Sequence, residues 1–210
     1  MKTLLSGYDK RTQELLFRVY SAAIPENGKR QNHRLAHLTA LDLLGTALAE
    51  DFGVHHVVIR RAGLGKPELI HDFLHMNLSH CRGLAVAAVG RMPLGVDAEA
   101  PRAVRDALMQ KVCAPEELAQ IQASDDKNIA FSRFWTLKEA YAKYTGAGIR
   151  LDFSALRFTL GEKAVSFHHP EAEHVRFIQL TDSSGCTVSL CFPRGKETEI
   201  NIEKNSDPFA

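Results

Sequence analysis

Phe134-Trp135-Thr136-Leu137-Lys138-Glu139-Ala140-Tyr141-Ala142-Lys143 is the stretch from which the rest of the chain is read. It opens on two aromatics and continues through good helix formers, with no Gly or Pro before Gly146, so it predicts a helix reaching back to about Asn128. Spacing of i, i+4 and i+8 stacks Trp135, Glu139 and Lys143 on one face, with Lys138 offset by about 100° on a neighbouring stripe. One reading puts Trp135 and Leu137 in a core and leaves Glu139 and Lys143 as a solvated surface pair. The other makes that face part of a site, and it needs a partner elsewhere in the chain.

Leu94-Gly95-Val96-Asp97-Ala98-Glu99 supplies that partner: a short apolar run with carboxylates two residues apart. In a strand, period-two geometry points Asp97 and Glu99 to the same side. Two like charges on one face are either well solvated or neutralised by a cation. Asp97, Glu99 and Glu139 together, completed by waters and phosphate oxygens, have the composition of an ordinary Mg²⁺ site.

The two stretches in this order, G-V-D-x-E and then W-T-L-K-E-A-x-x-K, resemble the signature of the 4'-phosphopantetheinyl transferase superfamily. Gly65-Lys66-Pro67 and Asn77-Leu78-Ser79-His80 resemble the G-K-P and N-x-S-H blocks of its long, monomeric, surfactin-synthetase-activating type, which serves peptide and polyketide synthases. The resemblance covers residues 63–148 well and the remainder in outline. It implies an α+β fold of two similar helix-plus-antiparallel-sheet halves, related by a pseudo-twofold axis, with the site in the cleft between them. It also implies roles. Asp97, Glu99 and Glu139 would bind metal, and Glu139 and Lys143 would be catalytic. Lys66, Ser79, His80, Lys138 and Lys143 would contact coenzyme A.

The bulk of the chain is compatible with this. At 210 residues it is long enough for one domain or two packed halves, and a formal net charge of +1 gives no overall reason to expect nucleic acid or a membrane surface as partner. Cys81, Cys113, Cys186 and Cys191 show neither C-x-x-C nor zinc spacing, and the N-terminus lacks a signal sequence, so a reducing, cytoplasmic setting is expected.

Asp9 to Tyr20 reads as helical, and Leu35, Leu38, Leu41, Leu44, Leu48 and Phe52 recur as a buried helical stripe. Lys29, Arg30, His33, Arg34 and His37 form a basic cluster at the start of that stripe. It is either solvated surface or, by resemblance, a contact for coenzyme A phosphates through Arg30, Arg34 or His37. Val54–Arg60 reads as a strand, residues 63–67 as a loop, and Leu84–Val89 and Leu94–Val96 as neighbouring strands. Val104–Val112 and Pro115–Ile121 read as short helices. In the second of these, Glu117 either caps the helix or serves the site. Four strands follow Gly148. The expected division is 1–98, 99–195 and a loose tail at 196–210.

The function expected from the resemblance is transfer of the 4'-phosphopantetheine arm of coenzyme A to a serine of an acyl or peptidyl carrier protein. It would be Mg²⁺-dependent, release adenosine 3',5'-bisphosphate, and be carried out by a monomer. A metal-dependent nucleotide phosphoesterase would use the same acids with water as nucleophile. A catalytically silent coenzyme A-binding module would need neither Glu139 nor Lys143.

Overall fold

The chain begins with a β-hairpin where the sequence predicts a helix. Lys2–Asp9 (β1) and Leu15–Ala23 (β2) pair antiparallel across a turn that Asp9 closes, its Oδ1 accepting the N–H groups of Arg11 and Thr12 at 2.9 and 3.1 Å. The helical expectation for Asp9–Tyr20 fails because β2 is covered on both faces. Leu16, Phe17 and Val19 enter one core and Tyr20 another, which erases the in–out alternation that marks a half-exposed strand. The structure, a computed structural model, describes all residues except 26–28, 63–64, 72, 162–163, 196 and 204–210.

Lys29–Phe52 forms α1, followed by the ribbon Ile59–Ala62 (β3) and Lys66–Leu69 (β4), then His75–Cys81 (β5) and Leu84–Gly90 (β6). The stripe that α1 buries is Ala36, Ala40, Leu43, Leu44, Ala47 and Leu48; of the expected series Leu44 and Leu48 belong to it, Leu35, Leu41 and Phe52 pack partly against it, and Leu38 is 52% exposed. The alanines let the helix lie close to the sheet. Lys66 and Pro67 open β4 instead of sitting in a loop; Gly63 and Leu64 lie outside the described residues.

Gly95–Glu99 (β7) leads into Asp106–Val112 (α2), Pro115–Ala123 (α3) and the long helix Lys127–Thr145 (α4). Arg157–Leu160 (β8) and Val165–His168 (β9) make a second ribbon, followed by Val175–Thr181 (β10), Thr187–Pro193 (β11) and Thr198–Ile202 (β12). Two sheets result, with strand orders β12-β1-β2-β6-β5 and β10-β11-β7. The same plan is thus used twice. Strand, helix, two-stranded ribbon and two more strands run β2-α1-β3-β4-β5-β6 and again β7-α4-β8-β9-β10-β11, and in each the last strand pairs antiparallel with the first and with its predecessor. The fold is α+β.

Strand pairing corrects two local expectations. β7 does not lie beside β6; it pairs with β11, so the repeats divide between Gly90 and Gly95, ahead of the expected 98/99 boundary. Thr198–Ile202 is not loose tail but the edge strand beside β1.

One core lies between the two sheets and includes Leu4, Val86, Ala88, Val96, Val188 and Phe192. A second joins α1 to its sheet, and a third joins α2, α3 and α4 to theirs. β6 is buried along its whole length, as a central strand covered on both faces must be. Among the described residues no helix is long and apolar enough to cross a membrane.

Candidate active site

The site forms where the edge strands of the two sheets, β5 and β7, face each other beneath α4. An unpaired strand edge exposes N–H groups that need acceptors, and here side chains of β5 supply them. Asn77 Oδ1 accepts the N–H of Val96 at 2.9 Å, and Ser79 Oγ accepts that of Ala98 at 3.2 Å. The Ser79 hydroxyl donates in turn to Asp97 Oδ1 at 2.8 Å.

α4 carries the third component. Asp126 caps its start by accepting the N–H groups of Asn128 and Ile129, and Gly146 at φ 72 ends it. Its close seating on β7 depends on Gly95, where an added Cβ would stand 2.1 Å from Ala140 O and 2.3 Å from Tyr144 N. The helix thereby brings Lys143 onto the junction. Its Nζ donates to Asp97 Oδ1 at 2.7 Å, Ser79 Oγ at 3.0 Å and Val96 O at 3.1 Å, which uses all three ammonium protons. Ser79, with its one proton and two lone pairs, is equally saturated. It braces Asp97 and Lys143, so in this arrangement it is not a free contact for coenzyme A.

Three carboxylates converge here, and their electrostatics show it. Burial raises Glu139 above the ordinary carboxylate range, Asp97 adds to the rise, Lys143 opposes it, and Glu99 adds further. Burial also raises Glu99, again helped by Asp97 and opposed by Arg102, Lys143 and a hydrogen bond with Trp135. Asp97 itself is 6% exposed, and its second oxygen, Oδ2, is buried with no hydrogen-bond partner. A buried carboxylate oxygen without a donor is costly, and it is the atom of this cluster that could take a cation. Among the described residues, however, no three acids, histidines or cysteines already stand in a metal-holding arrangement. Lys143 presently supplies the positive charge on Asp97.

A cleft of about 250 Å³ opens beside this cluster, lined by Gly65, Lys66, Asn77, Glu139, Lys143 and Gly146 among others. Lys66 reaches across it from β4 to donate to Tyr144 O at 3.3 Å, and burial lowers its pKa. His80, at the end of β5, lies edge-on to His33 with ring centres 4.8 Å apart and faces His37 at 6.5 Å. Burial, then His33, His37 and Lys143, push its pKa below the ordinary imidazole value. An imidazole such as that of His80, lowered by burial, suits phosphate because it gains charge when an anion arrives. His33 was not singled out from its basic cluster by sequence; its ring contact with His80 groups the two. Arg34 is exposed, and the side chain of Arg30 lies outside the described residues.

Lys138 corrects the expectation that it contacts coenzyme A. It is fully buried away from the cleft, paired with Glu117 Oε2 at 2.6 Å and donating to the carbonyls of Val112, Phe153 and Leu156 at 2.9, 2.7 and 2.8 Å. Glu117 does cap α3, accepting Ala114 N–H at 2.8 Å, and it also accepts Phe158 N–H at 2.8 Å. This ion pair ties α2, α3, α4 and β8 together. The 100° offset of Lys138 from Glu139 is what sends it into the scaffold rather than the site.

The chain is similar to several known proteins. The family model described as the 4'-phosphopantetheinyl transferase superfamily matches residues 93–191, a span that contains Asp97, Glu99, Glu139 and Lys143. A 4'-phosphopantetheinyl transferase of Bacillus subtilis is 27% identical over 81% of this chain and 80% of its own. The transferase Ffp of the same species is 27% identical over 83% and 82%, and HetI of Nostoc sp. is 39% identical over 40% of each chain. Among solved structures, the holo-[acyl-carrier-protein] synthase of Neisseria meningitidis is similar over 49% of this chain and 98% of that one, at 17% identity and a TM-score of 0.42. The family match falls on the acids and the helix that meet at the junction, and the Bacillus relatives carry the likeness over most of the remaining chain. Over residues 93–191 this chain is therefore similar to the 4'-phosphopantetheinyl transferase superfamily, and over most of its length to 4'-phosphopantetheinyl transferases of Bacillus subtilis.

Proposed function

We propose that the protein transfers the 4'-phosphopantetheine arm of coenzyme A to a serine hydroxyl of an acyl or peptidyl carrier protein, with Mg²⁺, releasing adenosine 3',5'-bisphosphate. The observation that carries this reading is the junction itself: Glu139 and Lys143 line the cleft, Lys143 is paired with Asp97, Glu139 feels the charges of Asp97 and Glu99, and Asp97 keeps an orphaned carboxylate oxygen.

The donor set, all carboxylate oxygen, suits a hard dication, so Asp97, Glu99 and Glu139 would hold Mg²⁺. When bound, the ion would neutralise charge on the pyrophosphate of coenzyme A. Lys143, which shares Asp97 Oδ1 with Ser79, would turn to donate to the pyrophosphate. Ser79 and Asn77 keep Asp97 and β7 in place meanwhile. Glu139, whose carboxyl is already held more basic than usual by burial, accepts the proton of the attacking serine directly or through a water. Lys66 and His80, with His37 and His33 beside it, receive the nucleotide phosphates. No hydroxyl of this chain is assigned as nucleophile, so the attacking serine comes from the carrier. Both walls of the cleft belong to one chain, which fits action as a monomer.

Incubation with coenzyme A, Mg²⁺ and a panel of apo carriers, read by intact-protein mass spectrometry, tests the reading. A carrier heavier by one phosphopantetheine, in stoichiometric balance with adenosine bisphosphate, is expected, and Glu139→Gln should largely stop it. Nucleotide release without carrier modification would favour the phosphoesterase instead. Tight coenzyme A binding with neither product would favour the silent module.

A further inference from the structure

Away from the phosphate chemistry, two sulfurs meet across the seam between the halves. Cys81 and Cys186 are separated by 105 positions in sequence, yet their Sγ atoms stand 3.6 Å apart as free thiols. Each is held by a tight structure. Cys81 ends β5 and pairs with Leu84 around a two-residue turn containing Gly83 at φ 86. Cys186 closes a turn in which Asp182 Oδ1 accepts the N–H groups of Ser184 and Cys186 at 2.9 and 3.0 Å, while the Ser184 hydroxyl donates to Cys186 Sγ at 3.3 Å. Cys81 is half-buried, and Cys186 is 2% exposed. We propose that Cys81 and Cys186 are a modification site, a dithiol that a hydroperoxide converts to an intramolecular disulfide joining the two halves of the molecule.

The local electrostatics assign the roles. The hydrogen bond from the Cys81 thiol lowers Cys186, joined by the Ser184 hydroxyl and the charge of Arg82 and opposed by burial and the Asp182 carboxylate, while the same bond and burial raise Cys81. Cys113 is pushed up to about 12 by burial, and burial likewise raises Cys191, so neither is a competing nucleophile. The Cys186 thiolate attacks the terminal peroxide oxygen; the O–O bond breaks, and the departing oxygen takes a proton from water. The Cys81 sulfur then attacks Cys186 sulfenic acid, the S–O bond breaks, and its hydroxyl leaves as water with the Cys81 proton. Two thiols are oxidised and one peroxide is reduced to water and an alcohol, or to two waters from hydrogen peroxide. The bond would cross-link the strand that carries His80 to the one whose first residue, Thr187, lies opposite Glu99.

The whole chain, titrated with hydrogen peroxide, capped with N-ethylmaleimide and digested without reduction, tests this independently of any transfer activity. The expected result is a mass lower by two hydrogens and a Cys81–Cys186 peptide pair. Cys113 and Cys191 should be capped only after denaturation. The melting temperature should rise, because closing a long loop restrains the unfolded chain, and should fall again on adding dithiothreitol. Cys81→Ser, a change at the more open position, should show neither the mass loss nor the rise. Oxidation of Cys81 without Cys186, a bond between two molecules, or cross-linking only after Cys113 and Cys191 have reacted would overturn the proposal.

Discussion

Replacing Lys138 by Met tests whether this lysine of the signature helix is scaffold or substrate contact. Met keeps most of the aliphatic stem but removes the ammonium, leaving the Glu117 carboxylate fully buried and the carbonyls of Val112, Phe153 and Leu156 without that donor. Glu117 keeps the N–H groups of Ala114 and Phe158, which limits the damage. Breaking one side of a buried ion pair costs about 3–5 kcal/mol. Against a total of roughly 5–15 kcal/mol for a natural domain, this variant folds with little to spare. With a urea slope of about 2 kcal/mol per molar, the unfolding midpoint should fall by about 1.5–2.5 M, followed by circular dichroism. Glu117→Gln with Lys138→Met should cost less than the two single changes added, because the stranded charge is gone. An unchanged midpoint together with weaker coenzyme A binding would refute the reasoning and return Lys138 to the cleft.

Gly95→Ala should destabilise by about 1–3 kcal/mol, since its Cβ collides with helix backbone rather than a movable side chain, and should lower activity by lifting Glu139 and Lys143 off β7; equal melting curves would contradict that packing. Lys143→Ala should leave the protein folded while turnover drops by orders of magnitude, an effect of a few kcal/mol in a water-poor site, and near-normal turnover would return Lys143 to a surface pair. Mg²⁺ with coenzyme A should raise the melting temperature more than either alone, and Asp97→Ala should remove that synergy. Because Glu99 and Glu139 are raised by burial and by Asp97, the native state holds more protons than the unfolded chain above their ordinary value of 4.5. In chelator, stability present below that value is therefore lost as pH rises through the raised values, and Asp97→Asn should flatten the loss; a stability that climbs over that window would show the sign to be wrong.

The sequence alone was enough to place Asp97 and Glu99 on one strand and Glu139 and Lys143 on one helix, because those groupings follow from periods within a single element. It also showed the ends of α4, since Gly146 and the run of helix formers before it are local signals. It misread β1 and β2, where burial on both faces hides the alternation that strands are recognised by, and in the α1 stripe it found Leu44 and Leu48 but missed the alanines that share their face, and it included Leu38, which is exposed. Which strand lies beside β7 was not legible either, because β11 is ninety residues away and strand partners are chosen by the whole packing. The same holds for Asn77 and Ser79 bracing the junction, for His33 joining His80, and for Cys81 meeting Cys186. Lys138 and Lys143 make the point most plainly. Both are lysines on one helix five residues apart, yet one is buried against Glu117 and the other faces Asp97, and only the layers packed around α4 determine which side is scaffold and which is site.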